Sequence, residues 1–127
     1  MAAKVRLRRL DGGYAVCRLE APSPIPVWAD GDGFVSISRS DDELSIVCRA
    51  ERVPAGVKQD AGWTCYKLIG PFAFDETGIV SAVIGPLSDA GIGIFIVSTF
   101  DGDHLLIKES DVERAEPTLA GAGHILL

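Results

Sequence analysis

Apolar and polar side chains alternate along the first part of the chain, and this pattern predicts short β-strands. Residues 5–10 alternate apolar side chains with arginines, and Asp11-Gly12-Gly13 separates them from a mostly apolar run at residues 14–19. Alternating segments joined by such a turn predict a β-hairpin. A second hairpin is predicted over residues 34–49, where a polar turn at residues 40–43 connects strands at 34–39 and 44–49.

The segments between these strands carry few helix signals. Prolines at positions 22, 24 and 26 prevent a regular helix there, so at most a short helix ending near Asp30 is predicted. Residues 51–53 could form one helical turn. Residues 54–62 are rich in glycine, alanine and polar side chains and are predicted to be a linker. We therefore divide the chain into a predicted N-terminal domain, residues 1–58, and a predicted C-terminal domain, residues 59–127.

The C-terminal part changes to a helical period. Apolar residues between 79 and 87 recur at the i, i+3, i+4 spacing of a buried helix face. We predict that this helix begins near Thr77, with Asp75 or Thr77 as its cap. Pro86 lies within the predicted helix and has no N–H, so the carbonyl of Ala82 loses its helical hydrogen-bond donor.

Strands flank this helix and indicate the fold. A strand is predicted at residues 63–69, a hairpin at 92–100 and 104–108, a short second helix from residue 111, and a last strand at 124–127. The order is strand, helix, strand, strand, helix, strand, which predicts an α+β, ferredoxin-like βαββαβ unit with both helices on one face of an antiparallel sheet. The first half follows the same order with degenerate helices, so two such units per chain are predicted.

Composition and charge exclude several classes of partner. The net charge is −6 and the pI is near 4.8, which argues against binding to nucleic acid. The apolar fraction of 47% and a mean hydropathy of +0.24 are high, so a homo-oligomer, most simply a homodimer, is expected. No uncharged run reaches the length of a membrane span, and the first residues lack the apolar core of a signal peptide. Residence in the cytoplasm is therefore the default expectation.

Candidate catalytic and metal-binding groups are sparse. Cys17, Cys48 and Cys65 lie far apart in strand-like runs and are predicted to be buried thiols, with neither a disulfide framework nor a zinc site. His104 and His124 lack metal-ligand spacing and are expected at the surface or at strand ends. No nucleophile motif is present. We therefore predict a protein that is not an enzyme and has no cofactor and no metal.

Two chain segments could together hold a small zwitterion. The helix start at Gly78 leaves backbone N–H groups without partners, which attracts a carboxylate. The strand ending at Ser98–Phe100 runs into Asp101 and Asp103, whose charge suits an ammonium group. The two ends match the poles of a free α-amino acid. Taken alone, each segment is also compatible with an ordinary helix start and an ordinary hairpin turn.

Four sequence motifs resemble one known family. They are the hairpin D-D-E-L-S-I-V-C from residue 41, the helix start T-G-I-V from 77, the turn L-S-D-A-G-I-G-I-F from 87 and the strand pair S-T-F-D-G-D-H-L-L-I-K from 98. Together they resemble the small tandem ACT-domain proteins, related to the ACT units of aspartate kinases and of the eukaryotic cytosolic arginine sensor. The resemblance covers about residues 34–123.

The resemblance implies a non-catalytic regulatory or sensory module that binds a free amino acid where ACT units meet. No catalytic domain is attached, so a regulated protein partner is expected if the role is allosteric. The alternative is a structural or protein-interaction module without a ligand. The ligand-binding residues that the resemblance implies are Gly78, Ile79, Val80, Ser98, Thr99, Phe100, Asp101 and Asp103.

Overall fold

A computed structural model describes residues 3–69 and 77–127. Short 3-10 turns occupy Val27–Ala29, Ala50–Arg52 and Glu109–Asp111. The strands and α-helices in chain order are β1 (Arg6–Arg9), β2 (Tyr14–Leu19), β3 (Ser36–Arg39), β4 (Leu44–Arg49), β5 (Lys58–Leu68), α1 (Ile79–Asp89), β6 (Ile94–Ser98), β7 (Asp103–Lys108), α2 (Val112–Gly121) and β8 (Ile125–Leu126).

The chain divides into two compact units. The small unit is Asp11–Trp63, and the large unit is Met1–Leu10 together with Thr64–Leu127. The long strand β5 crosses the boundary, so its first part belongs to the small unit and its last part to the large unit. The predicted domain boundary between residues 58 and 59 stays a prediction; the two compact units divide between residues 63 and 64 and again between residues 10 and 11.

The small unit has the predicted strand order with its helices reduced to single 3-10 turns. Its strands lie in the order β3-β4-β2-β5, and all three pairings are antiparallel. The turns at Val27–Ala29 and Ala50–Arg52 stand where the two helices of a βαββαβ unit would be. Pro26 directly precedes the first turn, in agreement with the proline pattern. The buried core consists of Ala15, Cys17, Ala29, Leu44, Ile46 and Cys48.

The large unit is a complete βαββαβ unit with one added strand. Its strand order is β6-β7-β5-β1-β8, in which β1 lies between β5 and β8, antiparallel to the former and parallel to the latter. Both helices pack on one face of this sheet through a buried core of Val5, Leu7, Tyr66, Leu68, Val83, Leu87, Ile92, Leu105, Ile107, Ala115 and Leu119. The predicted α+β, ferredoxin-like architecture is confirmed.

Three local predictions are wrong. β1 and β2 do not form a hairpin, because β1 pairs with β5 and β8 whereas β2 pairs with β4 and β5. Residues 58–62 are strand rather than linker, since their backbone pairs with β2, for example Lys58 opposite Arg18. Of the two predicted caps of α1, Asp75 lies outside the described residues and Thr77 is wrong, because Gly78 occupies the N-cap position and no side chain caps the helix there.

His124 fills the hydrogen-bonding gap that Pro86 leaves in α1. His124 directly precedes β8, which agrees with the predicted place at a strand end, but its side chain is buried, with 5% of its surface exposed. The Val5 N–H donates to Nδ1 at 3.0 Å, so the neutral ring carries its hydrogen on Nε2. Nε2 lies 2.7 Å from the carbonyl of Ala82 and donates to it. This carbonyl is the acceptor that an N–H at position 86 would otherwise satisfy.

Candidate functional site

The strand-end half of the predicted site is a tight turn between β6 and β7. Ser98 and Asp103 lie opposite each other in register, and the Ser98 hydroxyl donates to Oδ1 of Asp103 at 2.5 Å. The backbone N–H and the hydroxyl of Thr99 both donate to the carbonyl of Gly102, at 2.7 and 3.0 Å. These bonds orient Asp103, which is 9% exposed, while Asp101 is left exposed at the tip.

A cleft of about 540 Å³ opens beside this turn. A volume of this order is typical of pockets that hold small molecules. Leu68, Ile69 and Gly102 contribute apolar and backbone surface. The charged and polar side chains that line the cleft are Arg8, Lys67, Thr99, Asp101, Asp103 and His104.

Charges of both signs meet in the cleft. Arg8 of β1 and Lys67 of β5 lie opposite each other in register, and Asp101 and Asp103 come from the turn. Burial lowers the pKa of His104, Lys67 lowers it further, and Asp103 acts in the opposite direction. His104 therefore stays neutral at pH values where an ordinary histidine begins to take up a proton. The cleft thus offers two cations and two carboxylates to a ligand.

The helix-start half of the predicted site lines a different cavity. Gly78 directly precedes α1 with a φ of 81°, a left-handed conformation that favours glycine, and its carbonyl accepts the N–H of Ala82. Gly78 lines a second cavity of about 570 Å³, together with residues such as Thr77 and Ser81. Ile79 packs against the core of the large unit.

The structure therefore brings together only part of the predicted set. Thr99, Asp101 and Asp103 line one cleft, and Ser98 holds Asp103 in place by a hydrogen bond. Phe100 is 77% exposed at the turn. Gly78 lines the other cavity, and the two lining sets have no residue in common. Val80 is half-buried and lines neither of these two cavities.

Sequence reasoning missed the basic side of the cleft. Arg8 and Lys67 are separated by almost half the chain, and they meet only because β1 pairs with the end of β5. The sole signal in the sequence was the alternation of arginines with core residues in β1. This alternation predicts which side chains lie on the exposed face of β1, but it does not predict which strand lies beside β1. His104 was treated as an isolated histidine.

Within residues 3–69 and 77–127, no group of three or more His, Cys, Asp or Glu side chains is placed to hold a metal ion. No helix in this part of the chain combines the length and apolar character needed to cross a membrane.

Comparison with known proteins assigns domains to both parts of the chain. Residues 59–120 match the sequence profile of the ACT domain, and residues 12–56 match that of an N-terminal domain from a second protein family. The human cytosolic arginine sensor for mTORC1 subunit 1 is 33% identical over 87 residues, which cover 62% of this chain and 26% of the relative. The chain thus spans about a quarter of the length of such curated relatives.

Solved structures give the same picture of the fold. The crystal structure of protein Atu0741 from Agobacterium tumefaciens is 60% identical, with a TM-score of 0.95 over 99% of this chain and 94% of that one. Aspartokinase III from E. coli, solved with aspartate and ADP, has a TM-score of 0.64 at 15% identity, over 93% of this chain and 32% of that one. At that identity, the likeness concerns the fold alone.

Proposed function

Residues 59–120 of this chain match the ACT domain, and on that premise we propose that the protein is a cytoplasmic regulatory module that binds a free amino acid and catalyses no reaction. The observation that carries the proposal is the cleft beside the β6–β7 turn. Thr99, Asp101 and Asp103, which the sequence marked as candidates for the ammonium pole, line one cleft of suitable volume. The two carboxylates supply the negative charge that an ammonium group requires.

The similarity to the arginine sensor supports a free amino acid as the class of ligand, but it does not identify the side chain of that amino acid. The name of this relative describes a sensor of arginine, which is a free amino acid. The aligned part covers about a quarter of that protein, so selectivity for arginine is not carried over to this chain. We propose an amino acid as ligand and leave its side chain to be identified by binding measurements.

The helix start at Gly78 remains the sequence-based prediction for the carboxylate pole, and it is the alternative to a carboxylate site within the cleft itself. Gly78 directly precedes Ile79 and Val80, the first residues of α1, and a Cβ added at Gly78 would meet no atom of the described residues within 4 Å other than those of its chain neighbours. Asparagine tolerates a positive φ better than other side chains, so Gly78→Asn places a side chain at the helix start with little strain. Loss of ligand binding in this variant would support a role for the helix start.

We propose a homodimer that forms through strand β6. This strand pairs only with β7 within the described sheet, so its other edge presents unpaired backbone groups. Its apolar residues Ile94 to Val97 are all half-buried rather than buried. A second copy could cover them by strand pairing, and it would supply the facing ACT unit that the family resemblance implies.

Thermal-shift measurements with each of the twenty standard L-amino acids test the binding function. A ligand at about 100 times its Kd adds about 2.7 kcal/mol to the free energy of unfolding. For a chain of this size that raises the Tm by several degrees. We expect a rise with one or a few amino acids. A screen without any shift would contradict the proposal and favour the alternative, a structural or protein-interaction module.

Variants of the two carboxylates locate the site. Asp101→Asn and Asp103→Asn each remove one negative charge from the cleft and should weaken or abolish the shift. Asp101 is exposed, so its replacement should leave the folded state unchanged, whereas Asp103 also accepts the Ser98 hydrogen bond. Asp41→Asn, an exposed turn residue of the small unit, is the matched control. Equal shifts in all three variants would show that the ligand binds elsewhere.

A further inference from the structure

We propose that Arg8 and Lys67 bind the carboxylate of the ligand, so that both poles of one amino acid are held in the cleft beside the β6–β7 turn. This inference rests on the proposed function and names the anion-binding side of the same site. It assigns a ligand-binding role to β1, the strand added to the βαββαβ order.

The sheet places these two cations side by side. Arg8 and Lys67 are opposite partners in the antiparallel β1–β5 pair, where opposite Cβ atoms are about 4.5–5.5 Å apart. Their chain neighbours Leu7 and Leu68 belong to the buried core on the helix side of the sheet. Because side chains alternate along a strand, Arg8 and Lys67 project from the other face. Both line the cleft and both are exposed.

Among the described residues, neither Arg8 nor Lys67 forms an ion pair with a carboxylate. The neighbouring Arg9, by contrast, has Glu116 at 3.9 Å. Like charges directly opposite each other on a sheet destabilise it. An anion bound between Arg8 and Lys67 would relieve that repulsion, and guanidinium and ammonium groups form the strongest hydrogen bonds to carboxylates.

The same cleft contains the complementary pole. Asp101 and Asp103 line it together with Arg8 and Lys67, whereas Gly78 lines a cavity that shares no residue with it. His104 adds no charge near neutral pH because burial and Lys67 lower its pKa. A ligand with one carboxylate and one ammonium group therefore finds both counter-charges within one cavity.

Binding measurements on charge-removing variants test the inference. For each amino acid that raises the Tm of the wild-type protein, isothermal titration gives the Kd of wild type, Arg8→Gln and Lys67→Gln. Arg6→Gln is the matched control, because Arg6 is an exposed arginine of β1 on the same face as Arg8 and does not line the cleft. We expect Kd to weaken about ten- to hundredfold in either cleft variant, the loss of one charge-assisted hydrogen bond, and to be unchanged in the control.

Ligand analogues provide a second readout on the unmodified protein. The α-amide of the same amino acid lacks the carboxylate and keeps the ammonium group, so it should bind much more weakly than the acid. It should also lose little further affinity in Arg8→Gln, because the group that the arginine binds is already missing. Should one variant fail to fold, the other variant and the amide still decide the question.

The outcomes separate the two proposals. If Arg8→Gln and Lys67→Gln bind as tightly as wild type while Asp101→Asn binds weakly, the anion-binding inference is overturned and the proposed function stands. Equal binding of the acid and its α-amide also overturns the inference. If no amino acid binds the wild-type protein, the proposed function is overturned and the inference falls with it.

Discussion

The hydrogen bonds of His124 predict how much this ring contributes to stability. His124→Phe keeps a flat ring of similar size and removes both hydrogen bonds. It leaves the buried N–H of Val5, a residue 2% exposed, without an acceptor, at a cost of about 1–3 kcal/mol. The half-buried carbonyl of Ala82 loses its donor and adds about 1 kcal/mol. The expected loss in the free energy of unfolding is therefore about 2–4 kcal/mol.

A double-mutant cycle with Pro86 tests the reason for this loss. Pro86→Ala restores an N–H at position 86, which can donate to the Ala82 carbonyl in the ordinary helical way. The bond from His124 to that carbonyl then becomes redundant. His124→Phe should cost about 1 kcal/mol less in the Pro86→Ala background than in wild type.

Equilibrium urea unfolding near pH 8, where an ordinary histidine is neutral, provides the measurement. Far-UV circular dichroism is the preferred probe because both α-helices belong to the large unit, which contains His124. Fluorescence of Trp28 and Trp63 reports on the small unit. A cost of His124→Phe that is the same in both backgrounds would refute the link between His124 and Pro86. A cost below about 0.5 kcal/mol would refute the importance of the ring altogether.

Three further predictions concern pH, thiol reactivity and assembly. The pKa of His104 is lower in the folded state than its unfolded value of about 6.5. Its contribution to stability is therefore complete above the unfolded pKa and is lost as pH falls toward the folded pKa. The urea midpoint of the wild-type protein should drop on acidification, and the midpoint of the His104→Gln variant should drop less. Burial raises the pKa of the thiol to about 11 in Cys17 and to about 12 in Cys65. A thiol reagent such as DTNB should therefore label the cysteines only after denaturant is added, and labelling of the native protein at the rate of a free thiol would contradict their burial. Val97→Lys in strand β6 should convert the proposed dimer to a monomer in light-scattering measurements, whereas Ile37→Lys in edge strand β3 should not; an unchanged dimer would exclude this edge.

Much of the fold could be predicted because its signals are local. The hairpin of β3 and β4 follows from alternation around a polar turn, and α1 follows from apolar residues at helical spacing between Ile79 and Leu87. The first part of β5 could not be predicted in this way. Its sequence Lys-Gln-Asp-Ala-Gly has no alternation and all five residues are exposed, so the strand depends on the backbone partners that β2 offers. Pairing between distant segments depends on the whole sheet.

The candidate site shows the same division between local and distant signals. Asp101 and Asp103 could be predicted because a turn and the strand before it are adjacent in the chain. Arg8 could not, since its place beside the cleft depends on the insertion of β1 between β5 and β8. The hydrogen bond from His124 to α1 likewise joins groups 42 residues apart. Patterns of neighbouring residues in the sequence do not predict contacts between residues that are so far apart in the chain.

The sharing of β5 has a consequence for how this protein can be divided or recombined. The strand is the fourth strand of the small unit and the first strand of the βαββαβ order in the large unit. A gene fragment that ends before residue 58 would encode a small unit without its last strand. A fragment that begins at residue 64 would encode a large unit without β1. The two units therefore cannot be exchanged as separate segments. A chimaera made by exchanging one unit must keep strand β5 intact where the two parent sequences join.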